Sequence, residues 1–195
     1  MLAIPATDDA VVRMKRAIPH ELTHHMLYDL LGPQGYLQLP VWLNEGLAAS
    51  FEQSPNAAYA LALEESHAEL IPLEDLCAPF PDDAQTARLA YAQSQSLVDY
   101  LIATYGWSHI RDLLQVYRDG VSCERGVMNV LETDLDHLER DWARWLFDGE
   151  TPAHHDVKPW TSAKRAVDAS APWLALSGFL LLPGALHLAA WLRER

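Results

Sequence analysis

Two histidines four positions apart, His20 and His24, constrain the fold of this chain more than any other feature. They lie in residues 20–31, whose apolar positions and following Gly-Pro pair predict a helix. Residues four apart on a helix lie one above the other on the same face, so both imidazoles can reach one metal ion. Glu21 lies beside them, close enough to handle a proton of a metal-bound water.

A carboxylate in a second apolar segment supplies a candidate third ligand. Residues 40–53 begin with a proline and predict a helix, and Glu45 lies in its apolar part. Because burying an unpaired charge is costly, Glu45 needs a partner. A catalytic zinc usually takes three protein ligands and keeps a fourth position for water. We therefore predict a zinc site formed by His20, His24 and Glu45; the alternative is two surface histidines with a capping or ion-paired glutamate.

The segments that carry these residues, HELTH and WLNEGLA, resemble the motifs of the gluzincin zinc metallopeptidases, which include thermolysin-like and aminopeptidase-N-like enzymes. Within that group the chain is most similar to the small bacterial peptidase MA-like domains. The resemblance covers roughly residues 8 to 147, and 20 residues separate His24 from Glu45, slightly more than in the aminopeptidases. It implies hydrolysis of a peptide or protein substrate through a zinc-bound water, with Glu21 as general base.

Two more residues have expected roles, Tyr91 from the resemblance and Asn44 from its position next to Glu45. Tyr91 matches a tyrosine that helps to stabilise the oxyanion in the aminopeptidase relatives; the alternative is a tyrosine packed on a helix. Asn44 is expected to orient a ligand or to bind the substrate, and a helix-capping or structural role is equally open. The aminopeptidases carry an N-terminus-recognising motif upstream of HExxH, and no such region precedes His20, which favours an endopeptidase.

Gluzincins also carry a β-sheet before the HExxH helix, and its edge strand binds the peptide substrate. Only 19 residues precede His20, and they predict a helix, so either this chain lacks the sheet or its true start lies upstream. This departure motivates a second hypothesis, a catalytically inactive, membrane-tethered zinc-binding scaffold. A third is a soluble helical interaction domain without metal, in which the zinc residues are a coincidence.

The first 148 residues predict a mainly α domain of the gluzincin type. Further helices are predicted at residues 8–17, 57–70, 84–105, 107–119, 122–131 and 134–147, and Pro19 is expected to kink the first or to restart it. Residues 71–83 are rich in proline and predict an irregular loop. We therefore expect a peptidase MA-like domain over residues 1–148 and a linker over residues 149–168.

A hydrophobic segment follows the linker. Residues 169–192 contain no Asp, Glu, Lys or Arg, and as a helix they would span about 36 Å, enough for a bilayer core of about 30 Å. Trp173 and Trp191 lie near its two ends, as in an aromatic belt. The segment predicts a single-pass membrane helix, with a buried helix or hairpin as the alternative. The family resemblance suggests an extracytoplasmic catalytic domain.

Composition limits the partners and the redox state. The net charge of −13 argues against a nucleic-acid partner, because phosphate binding requires clusters of Lys and Arg. The two cysteines, Cys77 and Cys123, allow one disulfide if the domain is extracytoplasmic. A pair of buried free thiols is the slightly favoured expectation.

Overall fold

The computed structural model describes residues 8–66 and 69–149, and within this part of the chain all regular structure is helical. Its α-helices are α1 (Asp8–Tyr36), α2 (Val41–Ser50), α3 (Ala57–Glu65), α4 (Ala84–Thr104), α5 (Trp107–Arg118), α6 (Cys123–Leu131) and α7 (Leu135–Asp148). A short 3-10 helix, Asp75–Cys77, lies between α3 and α4. The mainly α fold class predicted from the sequence is confirmed.

Helix α4 is the central element of the described residues. α2, α3, α5 and α7 pack against it, while α1 contacts α2 and α5. Ten of its 21 residues are buried, so α4 is covered on most of its circumference. Leu135, Leu138 and Trp142 of α7 lie in this core, with Trp142 1% exposed. The Trp142 indole donates to the Ser96 hydroxyl of α4 at 3.1 Å, which satisfies its buried N–H.

Burial rather than capping holds α2 in place. Pro40, which precedes it, makes no side-chain cap, whereas Trp42, Leu43 and Leu47 are buried. Each side chain of this kind contributes about 1.5–3 kcal/mol when fully buried. α2 is therefore fixed against the core, and Glu45, which it carries, is fixed with it.

The backbones of α2 and α4 come very close at Gly46. A Cβ atom added there would lie 2.4 Å from the Ser94 carbonyl oxygen and 2.7 Å from Cγ2 of Val98. Real Cβ atoms do not approach other atoms so closely, so only glycine fits without moving a helix. This close approach brings Glu45 directly beside α4.

Helix α1 is longer than predicted, because it continues through Pro19 with helical backbone angles. Of the two outcomes expected at Pro19, a kink or a restart of the helix, the restart does not occur. Proline lacks the N–H that would bond the carbonyl of Lys15 one turn earlier. That carbonyl instead accepts a hydrogen bond from the Gln53 N–H at 2.9 Å. At Gly32 the φ angle is +72°, and this is where the helical angles are interrupted, as the Gly-Pro pair predicted.

Helix α3 is shorter than predicted, since it ends at Glu65 rather than at residue 70. Asn56 caps its N-terminus, where the side chain accepts from the Ala58 N–H at 3.2 Å. None of its residues is buried, so no core contact favours further turns.

The predicted loop over residues 71–83 is irregular apart from the 3-10 helix, and side chains tie it to the helices. Gln93 of α4, fully buried, accepts from the Ile71 N–H and donates to the Ile71 carbonyl, both at 2.9 Å. Glu139 of α7 accepts from the Leu73 N–H at 2.6 Å. The loop therefore has a defined position on α4 and α7.

The same loop forms a disulfide between Cys77 and Cys123. The expectation of two free thiols was wrong. The cysteines are 46 positions apart in sequence, and their approach depends on the anchoring of the loop by Gln93, which sequence spacing does not reveal.

All described residues belong to one compact unit. Among them, no helix combines the length and the apolar character that a membrane crossing requires. The predicted membrane segment, residues 169–192, and the linker after Gly149 lie outside the described residues.

Candidate metal centre

Two imidazole nitrogens meet on one carboxylate oxygen where α1 faces α2. Oε2 of Glu45 lies 3.4 Å from Nε2 of His20 and 3.5 Å from Nε2 of His24. Two ligand atoms about 2.0–2.2 Å from a tetrahedral zinc lie about 3.3–3.6 Å apart. Glu45 thus lies at the spacing of adjacent zinc ligands from each histidine, and the ligand atoms of all three predicted residues lie within 4.8 Å of one another.

The other nitrogen of each ring has an acceptor from a different residue. Nδ1 of His20 lies 3.2 Å from Oε1 of Glu52, and Nδ1 of His24 lies 3.0 Å from Oδ1 of Asn44. Because these partners accept, each Nδ1 donates its proton. Metal-binding histidines usually have such a partner, which fixes the ring and leaves Nε2 for the ion.

Asn44 connects His24 to the end of α1. Its Nδ2 donates to the Tyr36 hydroxyl at 3.1 Å, which leaves Oδ1 free to accept from His24. Both polar atoms of the amide therefore have protein partners. Among the roles left open for Asn44, these partners support orienting a ligand, or a structural role, rather than binding the substrate.

Electrostatics at the centre favour a bound cation. The hydrogen bond with Glu45 raises the pKa of His20 and that of His24 above the usual 6.5. Burial raises the pKa of Glu45, but its hydrogen bonds with the two imidazoles outweigh burial and lower that pKa to about 2. A carboxylate that faces two imidazole nitrogens is an arrangement that a bound cation would stabilise.

These residues fit zinc as a donor set. Two neutral imidazoles and one carboxylate are the ligands of many catalytic zinc sites. Their ligand atoms all lie within 4.8 Å of one another, and all three side chains are only partly buried, so a fourth ligand such as water has access.

The predicted general base and oxyanion donor lie next to this centre. Glu21 is exposed, and its charge acts on both His24 and Tyr91. Burial raises the pKa of Tyr91, and the carboxylates of Glu45 and Glu21 raise it further. The phenol therefore stays protonated near neutral pH, which is the state that a hydrogen-bond donor requires.

Two other polar residues of the HExxH helix, Thr23 and His25, have partners outside the centre. The Thr23 hydroxyl donates to the Pro19 carbonyl at 2.8 Å, inside its own helix. His25 is exposed, 3.8 Å from Asp29.

Sequence reasoning missed Glu52 and Tyr36, which support the two histidines. Glu52 follows Glu45 by seven positions, about two helical turns, and this spacing indicates a shared face. Glu52 lies just beyond the end of α2, and the pattern alone does not pair it with His20. No sequence pattern indicates that Tyr36 contacts Asn44, because the tertiary fold sets the position of the segment after Gly32.

Comparison with known proteins places this geometry in a family. The chain matches the family model described as Peptidase MA superfamily over residues 1–148. No curated protein and no solved structure matches the chain. The family match supports a metallopeptidase-type hydrolase function, acting on peptide or protein substrates, and this superfamily is typically zinc-dependent. With a match over 148 of its 195 residues, the chain belongs to the Peptidase MA superfamily.

Proposed function

We propose that this protein is a zinc-dependent metallopeptidase that hydrolyses internal peptide bonds, with His20, His24 and Glu45 as metal ligands. The convergence of the two Nε2 atoms on Oε2 of Glu45, at 3.4 and 3.5 Å, carries the proposal. Membership of the Peptidase MA superfamily supports it. When bound, zinc supplies Lewis-acid chemistry, lowering the pKa of a water and polarising the scissile carbonyl.

The residues around the metal handle the protons and the developing charge. Glu21 takes a proton from the attacking water while the oxygen of that water bonds to the carbonyl carbon. It then passes that proton to the amine nitrogen as the carbon–nitrogen bond breaks. Tyr91 donates a hydrogen bond to the carbonyl oxygen as negative charge develops there, a contact worth about 2.7–4 kcal/mol in comparable sites. Asn44 and Glu52 hold the imidazoles in place.

The peptidase activity is tested with the zinc-loaded full chain and an unfolded protein substrate. We expect cleavage that a chelator abolishes and that added zinc restores. The Glu21→Gln variant should keep its zinc but lose at least about 100-fold in rate, since the general base is removed. The matched control is Glu124→Gln on α6, an exposed residue away from the metal centre, which should cleave like the wild type. Cleavage by Glu21→Gln at the wild-type rate would exclude the assigned role.

Zinc binding without any cleavage would instead support the inactive scaffold. In that case the metal ligands would be correctly assigned and the enzymatic step would be wrong. The two measurements, zinc content and cleavage, thus separate the two functions.

We also propose that residues 169–192 anchor the protein in a membrane, with the catalytic domain outside the cytoplasm. The absence of charged residues over this stretch supports the anchor. The Cys77–Cys123 disulfide supports the location, because disulfides persist in oxidising compartments. Fractionation of cells tests the membrane anchor. Thiol labelling of the intact protein tests the location through the state of the two cysteines. A water-soluble full chain would exclude the anchor, and two labelled thiols in the intact protein would exclude the location.

A further inference from the structure

Three aromatic rings from three separate segments meet beside the metal centre; we call Tyr59, Phe80 and Tyr91 the aromatic cluster. Tyr59 of α3 stacks nearly parallel to Tyr91 of α4, with ring centroids 6.4 Å apart. Phe80, from the loop before α4, meets Tyr91 edge-on at 5.2 Å. Both distances lie in the range of favourable aromatic pairs.

The helix packing places this cluster next to Glu45. Tyr91, Ser94 and Val98 are three and four positions apart on α4, so they share one face. That face packs on α2, because Ser94 and Val98 abut Gly46, the residue after Glu45. Tyr91 therefore lies one turn before the contact at Gly46. Burial is the main cause that raises the pKa of Tyr59 to about 12, and the charges of Glu52 and Glu45 add to it; the charge of Glu45 also acts on Tyr91.

The loop that carries Phe80 is held firmly, while α3 is not. Gln93 and the Cys77–Cys123 disulfide fix the loop on α4 and α6. Helix α3 has no buried residue, and its main contact with another helix is with α4. All three rings are only partly buried, so each offers apolar surface to a further group.

We propose that the aromatic cluster is a substrate subsite that binds a large apolar or aromatic side chain of the peptide, adjoining the bond that is cleaved. This inference rests on the proposed peptidase function, since it concerns the peptide held at the metal centre. A ring or a long aliphatic side chain gains stacking and apolar contacts there. An acidic side chain gains neither and adds a negative charge beside Glu21.

The first test compares cleavage of peptides that differ at one position. The substrates are internally quenched peptides with one cleavable bond. In each peptide, either the residue before this bond or the residue after it is set to Phe, Leu, Ala or Asp. At one of the two positions we expect kcat/KM to be at least about 10-fold higher for Phe than for Ala, from the added buried area. Tyr59→Ala should reduce this ratio to about 3-fold or less, while Tyr59→Phe, which keeps the ring, should preserve it. Leu61→Ala, an exposed residue of the same helix, is the matched control and should leave the ratio unchanged.

The second test measures binding without cleavage. The zinc-loaded Glu21→Gln variant should bind the Phe peptide more tightly than the Ala peptide, and adding Tyr59→Ala should remove the difference. Efficient cleavage with a Phe-to-Ala ratio that Tyr59→Ala and Phe80→Ala both leave unchanged would overturn the subsite while leaving the peptidase function intact. Failure to cleave any peptide or unfolded protein would overturn the peptidase function, and the subsite with it.

Discussion

Oε1 of Glu52 lies 3.2 Å from Nδ1 of His20, while Nε2 of the same ring lies 3.4 Å from Oε2 of Glu45. One imidazole is thus held between two carboxylates. Glu52 fixes the orientation of the ring. Nε2 of His20 and Oε2 of Glu45 then face the position where the ion would bind. His24 has the same arrangement, with Asn44 in the place of Glu52.

Glu52→Ala is expected to weaken zinc binding by about 10–100-fold, because His20 loses the acceptor that orients it. Glu52→Gln keeps an acceptor oxygen and should lie between the wild type and Glu52→Ala. Competition with a chromophoric chelator measures the affinity. Equal zinc affinity in all three proteins would show that Glu52 does not position His20.

The stability of the metal-free protein is expected to depend on pH through Glu45. The pKa values of His20 and His24 are raised above 6.5 in the folded state, chiefly by hydrogen bonds with Glu45. A raised folded-state pKa gives stability that is fully present below the unfolded pKa and is lost as the pH rises through the folded one. The Tm of the metal-free protein should therefore fall as the pH rises above about 6.5.

Glu45→Gln is the control for this dependence, since it removes the carboxylate that raises both pKa values. The fall in Tm over this pH range should be smaller in the variant. Zinc needs neutral imidazoles, so the stabilisation that zinc adds should increase with pH. An identical pH profile for the metal-free wild type and Glu45→Gln would contradict this assignment.

The candidate metal ligands His20 and His24 could be grouped from the sequence because helical spacing alone places them on one face. The α-helical fold class followed from the apolar periodicity, which is local. What the sequence did not reveal depends on contacts between distant segments. Glu52 meets His20 across 32 positions. The restart expected at Pro19 fails because the freed Lys15 carbonyl is bonded by Gln53. The disulfide depends on a loop that Gln93 anchors.

Gly46→Ala should destabilise the fold and disturb the metal centre together. The new Cβ would lie 2.4 Å from the Ser94 carbonyl oxygen, so α2 must move away from α4. Overpacking of this kind costs about 1–3 kcal/mol, and the movement displaces Glu45 from the histidines. Denaturant unfolding and zinc titration of the same samples measure both effects. A variant with wild-type stability would show that the helices do not approach so closely.

Removing the Cys77–Cys123 disulfide should lower the free energy of unfolding by about 2–4 kcal/mol, because the bridge closes a long loop in the unfolded chain. The double variant Cys77→Ser, Cys123→Ser should unfold at lower denaturant concentration than the oxidised wild type, and reducing agent should not affect it further. Thiol titration under denaturing conditions gives an independent reading. Two reactive thiols in the freshly purified protein would contradict the disulfide.

The zinc content of the purified full chain tests the central claim most directly, measured by elemental analysis beside a His24→Ala variant. The arrangement of His20, His24 and Glu45 predicts about one zinc per chain in the wild type, with the metal lost from the variant although its helical content is retained. A folded wild-type protein that takes up no zinc, or a His24→Ala variant that binds zinc as tightly as the wild type, would contradict the metal centre described above.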